Sequence, residues 1–360
     1  VQFASVEVIP YALPFKEPYV TARGVLSRRE MVLLRVRDAD GVVGLGEAVP
    51  LSLRGGVGLT EVVAELEAWA EEQTTGGLSA PALCAVTTAE ADLLGRRAAD
   101  QRTRNPSVTG EAEAVPCNAT LVAGTPEAVA KDAERWAADG FSTFKLKLGA
   151  ESVKADDMRQ VSQTQGDVEQ VRAVREAVGP SGRIRVDVNA AWDLETAKSR
   201  LGELEPFGIE LAEQPVETLE ELAELSASTS IPVAADESVA SLADAERAAA
   251  LGACSYTGIK LSKVGGPEPA LQIADVLPAF ISSALDGPVG IAAGAQVALS
   301  LAETTHPERL HLAHGLATQR LFAKTIASVE CELRDGMLHL PPGAGLGVEL
   351  DEEALQAHRL

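Results

Sequence analysis

The sequence predicts an α/β protein: a (β/α)7-8 TIM-like barrel with an α+β capping domain built from the N-terminal region and the C-terminal tail. Three observations lead there. From Val115 onward, short apolar runs alternate with helical segments. Eight such runs occur: VPCNATL, FSTFKLKL, RIRVDVN, GIELAEQ, IPVAADE, YTGIKLS, PAFISSA and LHLAHG. The first hundred residues instead read as strands followed by helices, the pattern of a separate lobe.

The lobe comes first. VQFASVEVIPYAL and EMVLLRVRDADGVVGLGEAVP read as antiparallel strands, with a hairpin turn at the D-A-D-G run, residues 38–41. TEVVAELEAWAEE and TAEADLLGRRAAD follow as helices. Segments 14–27 and 47–58 lack clear periodicity and are expected to be loops. In the barrel, Thr125, Pro126 and Glu127 form a helix start. Val129, Ala133 and Trp136 share one face, and Gly140 stops the helix. Val168, Val171, Val174 and Val178 mark the next helix, closed by Gly179 and Pro180. Asp193 opens another. A doubly wound sheet is the rival fold, but NATLVAGTP is a poor phosphate-binding turn. The expected boundaries are 1–113 for the capping domain, 114–324 for the barrel, and 325–360 for the tail that completes the cap.

Composition narrows the function. The chain has 360 residues, 46% of them hydrophobic, enough for a barrel with an appendage. A net charge of −22 disfavours nucleic acid and anionic membrane surfaces as partners. No run is long and apolar enough to span a membrane, and no signal peptide is expected. Cys84, Cys117, Cys254 and Cys331 are scattered without C-x-x-C spacing, which suits inert thiols in a cytoplasmic protein. His311 and His314 read as structural. The composition leaves a homo-oligomer open.

The chemistry lies at the ends of successive runs. Asp187 closes RIRVDVN, Glu213 closes GIELAEQP and Asp236 closes IPVAADES, at spacings of 26 and then 23 residues. Each gap suits one strand, one helix and two loops. A lone acidic residue at a strand end is commonly a helix cap. Three in consecutive units are expected to converge at the barrel mouth. Converging carboxylates need a positive charge among them, and an all-oxygen donor set favours Mg²⁺, then Mn²⁺. Asn189 and Glu237, beside these ligands, are expected to orient them. Gln214 and Pro215 are given no chemical role.

Lysines flank the acids. Lys145 and Lys147 share parity on FKLKL, so both face the barrel interior or mouth. Buried lysines are costly unless paired with charge. Lys260 ends YTGIK, one unit after the acids. Lys263 is expected to be exposed. A cation with ammonium groups on both flanks suits removal of a proton α to a carboxylate. The cation stabilises the enediolate, and a lysine of lowered pKa serves as base.

These residues carry a resemblance. K-x-K (Lys145 to Lys147), D-x-N (Asp187 to Asn189), E-Q-P (Glu213 to Pro215), A-D-E-S (Ala235 to Ser238) and I-K-L-S-K-V-G-G (Ile259 to Gly266) together resemble the enolase superfamily, in its muconate-cycloisomerase-like subgroup. The general pairing of lysine bases with Mg²⁺-stabilised enediolates is known for that class. The resemblance implies Lys147 as acid/base, Lys145 beside it tuning its charge, and Lys260 as the opposing lysine. It implies a small carboxylate substrate chosen by the capping loops. The run Ile281 to Asp286, followed by GPVGIAAGA, resembles a branch of o-succinylbenzoate synthases, with Ser283 and Asp286 as expected substrate-binding positions. That implies syn dehydration to the aromatic product of the menaquinone pathway. The lobe's longer loops resemble N-acylamino acid racemases and dipeptide epimerases instead. The resemblance therefore implies the half-reaction and leaves dehydration, racemisation and cycloisomerisation open.

Overall fold

The computed structural model describes residues 3–21, 24–52, 55–102, 114–122, 124–149, 163–302 and 312–360. His311 lies outside them. Three antiparallel strands open the chain: β1 (Ser5–Thr21), β2 (Gly24–Arg37) and β3 (Val43–Ala48). Asp38 makes the turn into β3, its Oδ1 accepting from the Asp40 and Val42 N–H groups at 2.9 Å each. The sheet is buried on both faces. Ile9, Tyr11, Leu13, Met31 and Leu33 join the barrel's core. Val32, Leu34 and Val36 pack into a second core with α1 (Leu59–Glu72) and α2 (Ala80–Arg102). This is why EMVLLRV is a nearly unbroken apolar run rather than an alternating one. Helix α2 lies directly on β3. A Cβ at Gly46 would meet the Ala85 carbonyl oxygen at 1.9 Å, so only glycine admits that approach.

Segment 14–27 differs from its expectation. Outside residues 22–23, which are not described, it extends the β1–β2 hairpin, with a register break between Pro14 and Tyr19. The break and the two prolines hide the period of 2 in sequence. Segment 47–58 leaves β3 after Ala48 and is irregular where described. Helix α2 starts eight residues before the expected helix, since its early turns hold Val86, Thr87 and Thr88, poor helix formers rescued by burial.

The barrel then runs β4 (Ala114–Pro116), β5 (Ala119–Leu121), α3 (Pro126–Ala138), β6 (Thr143–Lys147), α4 (Gln163–Val178), β7 (Arg183–Asp187), α5 (Leu194–Leu204), β8 (Ile209–Glu213) and α6 (Leu219–Ser226). It continues through β9 (Val233–Ala235), α7 (Leu242–Leu251), β10 (Tyr256–Ile259), α8 (Leu261–Val264), α9 (Pro267–Val276), β11 (Ala279–Ile281) and α10 (Pro288–Ala302). Caps follow the sequence signals: Thr125 Oγ1 accepts from Ala128 N–H at 3.3 Å, and Asp193 Oδ1 accepts from Thr196 N–H at 2.7 Å.

Strands β5 to β11 form one parallel sheet in chain order. The eighth run, LHLAHG, contributes only two bridge residues where described. His314 pairs with Cys117 and Gly315 with Ser282, both parallel, which closes the sheet. The first run, VPCNATL, is split: β5 belongs to the barrel, while β4 pairs antiparallel with a strand of the tail. The tail supplies β12 (Ala327–Val329), β13 (Glu332–Arg334), β14 (Met337–His339), β15 (Glu349–Leu350) and α11 (Glu352–His358). β14 is the partner of β4, and the last residues return to β1, where Leu360 N–H meets the Pro10 carbonyl at 2.9 Å.

Candidate active site

Strand register builds the site. Lys147 aligns with Asp187, and Asp187 with Glu213, at the C-terminal ends of β6, β7 and β8. Residues in register on neighbouring parallel strands point the same way, about 4.8 Å apart. Asp236 follows β9 directly, and Lys260 follows β10 as the residue capping α8. In strand order the acids on β7, β8 and after β9 therefore lie between Lys147 on β6 and Lys260 after β10.

All three carboxylates are completely buried. Each is met by ammonium. Lys145 Nζ lies 3.0 Å from Glu213 Oε2 and 3.2 Å from Asp187 Oδ2, so one buried cation already joins two of the acids. Lys147 donates to Asp187 Oδ2 at 2.5 Å and to Asn189 Oδ1 at 2.9 Å. Lys260 donates to Asp236 Oδ2. Lys263 donates to Asp236 Oδ1 at 2.9 Å and to the Asp236 backbone carbonyl. Asn189 Nδ2 in turn donates to Glu237 Oε1 at 3.0 Å. Three acids thus face four amines.

Electrostatics follows from that ratio. Burial alone would lift Asp187, but Lys147, Lys145 and Lys260 outweigh it and hold the carboxyl well below its ordinary range. Glu213 goes the other way: burial, with Asp187 and Asp236 nearby, outweighs Lys145 and keeps it raised. Burial pulls Lys145 down, yet Glu213, Asp187 and Asp236 together hold it above the usual lysine value. Lys147 is also raised, because Asp187 exceeds burial and the opposing Lys145. The expected lysine base of lowered pKa therefore needs the divalent ion that the expectation placed beside it. As arranged, Lys147 is an ammonium that can give a proton. It can accept one only when Asp187 is engaged by another cation.

Does the donor set fit a divalent ion? Among the described residues, no three His, Cys, Asp or Glu side chains are already arranged as a cation cage. The carboxylates are turned to lysines instead. Yet Lys145 shows that Asp187 and Glu213 reach one positive point, and Lys260 bears electrostatically on Asp187 as well as bonding Asp236. Buried and all-oxygen, the carboxylate set suits a hard cation such as Mg²⁺.

Three residues here escaped the sequence reading. Lys263 is not exposed: its side chain is 10% accessible and grips Asp236. The signal was its spacing of three from Lys260, which in a helical turn sets two side chains on one face. Gln214 is wholly buried, and its role is taken up below. A third, Arg185, fills the barrel one layer beneath Asp187. It bonds Glu210 and the Ala313 carbonyl, the latter at 2.7 Å, and its guanidinium carbon sits 5.2 Å from the Phe280 ring centre.

Ser283 and Asp286 stand in the loop between β11 and α10, both buried. They bond each other: Ser283 Oγ donates to Asp286 Oδ2 at 2.6 Å and accepts from Asp286 N–H at 2.9 Å. His314 remains in the barrel wall, its Nδ1 accepting from Ile281 N–H at 3.0 Å. Burial and Arg185 push it down to about 3, so it is neutral. On the capping side, Phe15 stacks on Tyr19 and on Phe322, with centroids 5.5 and 5.0 Å apart, and Tyr19 is near enough to bear on Lys147. The hairpin therefore roofs the lysine side of the centre. A separate cavity of about 830 Å³, lined by Phe141, Arg320, Cys331 and Arg334 among others, contains no residue of the centre.

A parallel barrel whose mouth gathers carboxylates and amines under a capping sheet defines a class of enzyme scaffold. Residues 128–354 match the family described as Enolase C-terminal domain-like. The chain belongs to this family, in the muconate-cycloisomerase-like subgroup of the enolase superfamily, whose matched members are lyases and isomerases. It is 40% identical over 211 residues to an o-succinylbenzoate synthase of Thermobifida fusca, covering 58% of this chain and 61% of that protein. Muconate cycloisomerase 1 of Pseudomonas putida is 28% identical over 377 residues, covering 97% of this chain and 96% of that protein. Among solved structures, a muconate lactonizing enzyme from Pseudomonas fluorescens complexed with muconolactone has a TM-score of 0.81 at 27% identity, covering 99% of each chain. A dipeptide epimerase from Enterococcus faecalis complexed with Mg and L-Leu-L-Tyr has a TM-score of 0.84 at 24% identity, covering 97% of this chain and 100% of that one, a likeness of fold. No helix of the described residues is long and apolar enough to cross a membrane.

Proposed function

We propose that this protein is a Mg²⁺-dependent enzyme that removes the α-proton of a small carboxylate substrate, with syn dehydration to o-succinylbenzoate as its reaction. One observation carries the reading: in strand order, Lys147 and Lys260 stand on opposite sides of a buried three-carboxylate arc. The partial match to an o-succinylbenzoate synthase supports the choice of product.

Asp187, Glu213 and Asp236 would hold the ion through their carboxylate oxygens. A divalent cation bound there supplies positive charge against the charge that develops on the substrate carboxylate. The Lys147 amine takes the α-proton. The same nitrogen, now ammonium, returns that proton to the departing hydroxyl on the same face, and water leaves. Lys260 stays charged on the far side and stabilises the anionic intermediate. Lys145, held by Glu213, keeps a fixed positive charge beside Lys147. Asn189, bonded to both Lys147 and Glu237, fixes the direction of the base. Ser283 and Asp286 shape the wall of the mouth through their mutual bonds, with the Ser283 hydroxyl as the group that would turn to the substrate. The four free cysteines support a reducing, cytoplasmic setting.

A specific observation favours a second reading. Lys147 and Lys260 each ion-pair with a carboxylate at opposite ends of the arc, and two-base racemisation of an N-acylamino acid or epimerisation of a dipeptide requires an amine on either side of the substrate. One screen decides. Purified protein with Mg²⁺ is given the succinylbenzoate precursor, N-succinylamino acids, dipeptides and a muconate, and is read by ultraviolet absorbance and polarimetry. Absorbance change with the precursor alone supports dehydration. Loss of optical rotation with an amino acid derivative assigns the second reading instead.

A further inference from the structure

We propose that Gln214 is the positioning residue that sets the spacing of the three carboxylates, by tying the loops after β7, β8 and β9 to one another. The inference rests on the metal reading above. Its side chain is completely buried, directly after Glu213. Its Oε1 accepts from Asp236 N–H at 2.8 Å, from Ser238 N–H at 3.2 Å and from the Ser238 hydroxyl at 2.9 Å. Its Nε2 donates to the Val216 carbonyl at 2.8 Å, which fixes which end of the amide faces Asp236. Its backbone carbonyl accepts from Ala190 N–H at 2.7 Å, and its own N–H donates to the Ala234 carbonyl at 2.8 Å.

One residue therefore holds the loop that follows Asp187, the end of β8 and the turn bearing Asp236. The backbone supports the same point. Gln214 has φ 40°, and Asn189 and Ala190, the loop it anchors, have φ 51° and 60°. Non-glycine residues seldom adopt this region, and the cost is borne where surrounding bonds impose it. A side chain with both an acceptor and a donor is needed. Glutamate would lack the donor, and methionine would lack both.

The test compares wild type, Gln214→Met and Ser238→Ala, all metal-free at the start. Mn²⁺ affinity is read by electron paramagnetic resonance, and amide exchange at Asp236 and Ser238 by hydrogen–deuterium exchange. Gln214→Met should weaken Mn²⁺ binding by about tenfold or more, the usual effect of removing a group that orients a ligand. Exchange at Asp236 should quicken before any metal is added. Ser238→Ala, which removes one of three donors and keeps the amide, should give a smaller loss of the same sign. It decides the matter if Gln214→Met does not fold. A lower melting temperature with unchanged Mn²⁺ affinity in the variants would reduce Gln214 to a structural role and overturn the inference alone. Wild type that binds no Mn²⁺ overturns the metal reading and this inference together.

Discussion

Lys147 Nζ lies 2.5 Å from Asp187 Oδ2, and the two residues are register partners on adjacent strands. The proposed base and a proposed metal ligand are thus held as an ion pair by the sheet itself. Each buried acid of the centre is paired with at least one ammonium, which offsets the cost of burying its charge. This pairing also sets what substitution should do, since removing one partner leaves a buried charge exposed to its neighbours.

Lys147→Met should lower kcat by about 10²- to 10⁴-fold, the usual range for loss of a general acid–base group. Mn²⁺ affinity should be kept or tightened, because the carboxylates are untouched and an ammonium competing for Asp187 is gone. Steady-state kinetics beside a metal titration check this. Activity that survives within tenfold would remove Lys147 from the mechanism.

Substrate recovered from partial turnover in D₂O should carry no deuterium at Cα if the reaction is dehydration. Racemisation would place deuterium in both enantiomers. Under that second reading, Lys260→Met should abolish exchange for one enantiomer while the other still exchanges. Proton NMR of the recovered substrate distinguishes the outcomes.

Chelation by EDTA should abolish turnover, and added Mg²⁺ should restore it. Binding to the folded state alone should also stabilise the protein, by about 2.7 kcal/mol at a hundred times the dissociation constant. Denaturant titration with and without Mg²⁺ measures this. Full activity in EDTA would sink the metal reading.

Lys145→Met should be the most damaging single change to the metal-free protein. It removes the cation that ion-pairs with both Asp187 and Glu213, at a cost of about 3–5 kcal/mol for breaking a buried pair. Urea unfolding of metal-free protein gives the loss. Added Mg²⁺ should recover part of it, and no recovery would argue against an ion at that point.

Glu47, on β3, gives a pH prediction away from the centre. Its carboxylate accepts from the Tyr11 hydroxyl at 2.8 Å and from Gly287 N–H, at the start of α10, at 2.6 Å. Burial, and then Asp286, push it up from 4.5 to about 8 against those donors. Between these values the folded state keeps the proton and the unfolded chain does not. Stability from this group is therefore fullest below pH 4.5 and falls as pH rises towards 8, by about 1.4 kcal/mol per unit at most. Urea midpoints at pH 5, 6.5 and 8 should show Glu47→Gln gaining on wild type as pH rises. Parallel curves would mean that Glu47 is ionised throughout.

Much of this molecule was legible in the chain. The run-and-helix alternation after Val115 predicted the barrel, because one period fixes the strand and another its crossover helix. Asp187, Glu213 and Asp236 were legible because a strand end in such a barrel can only point to the mouth. Lys145 and Lys147 were legible by parity. The hairpin over residues 14–27 was not, since its register break destroys the alternation that marks a strand.

The sequence by itself determined that Lys145, Lys147, Asp187, Glu213, Asp236 and Lys260 gather at one end of the barrel, because strand ends and a period of 2 are local properties. Only the tertiary structure decided which amine meets which acid. Lys263 reaches Asp236 through the turn of α8, and Gln214 clasps three loops through left-handed backbone at its own position and at Asn189 and Ala190. Those contacts depend on how separate loops close on one another in space; the spacing of three between Lys260 and Lys263 sets a shared face but not the acid that face meets.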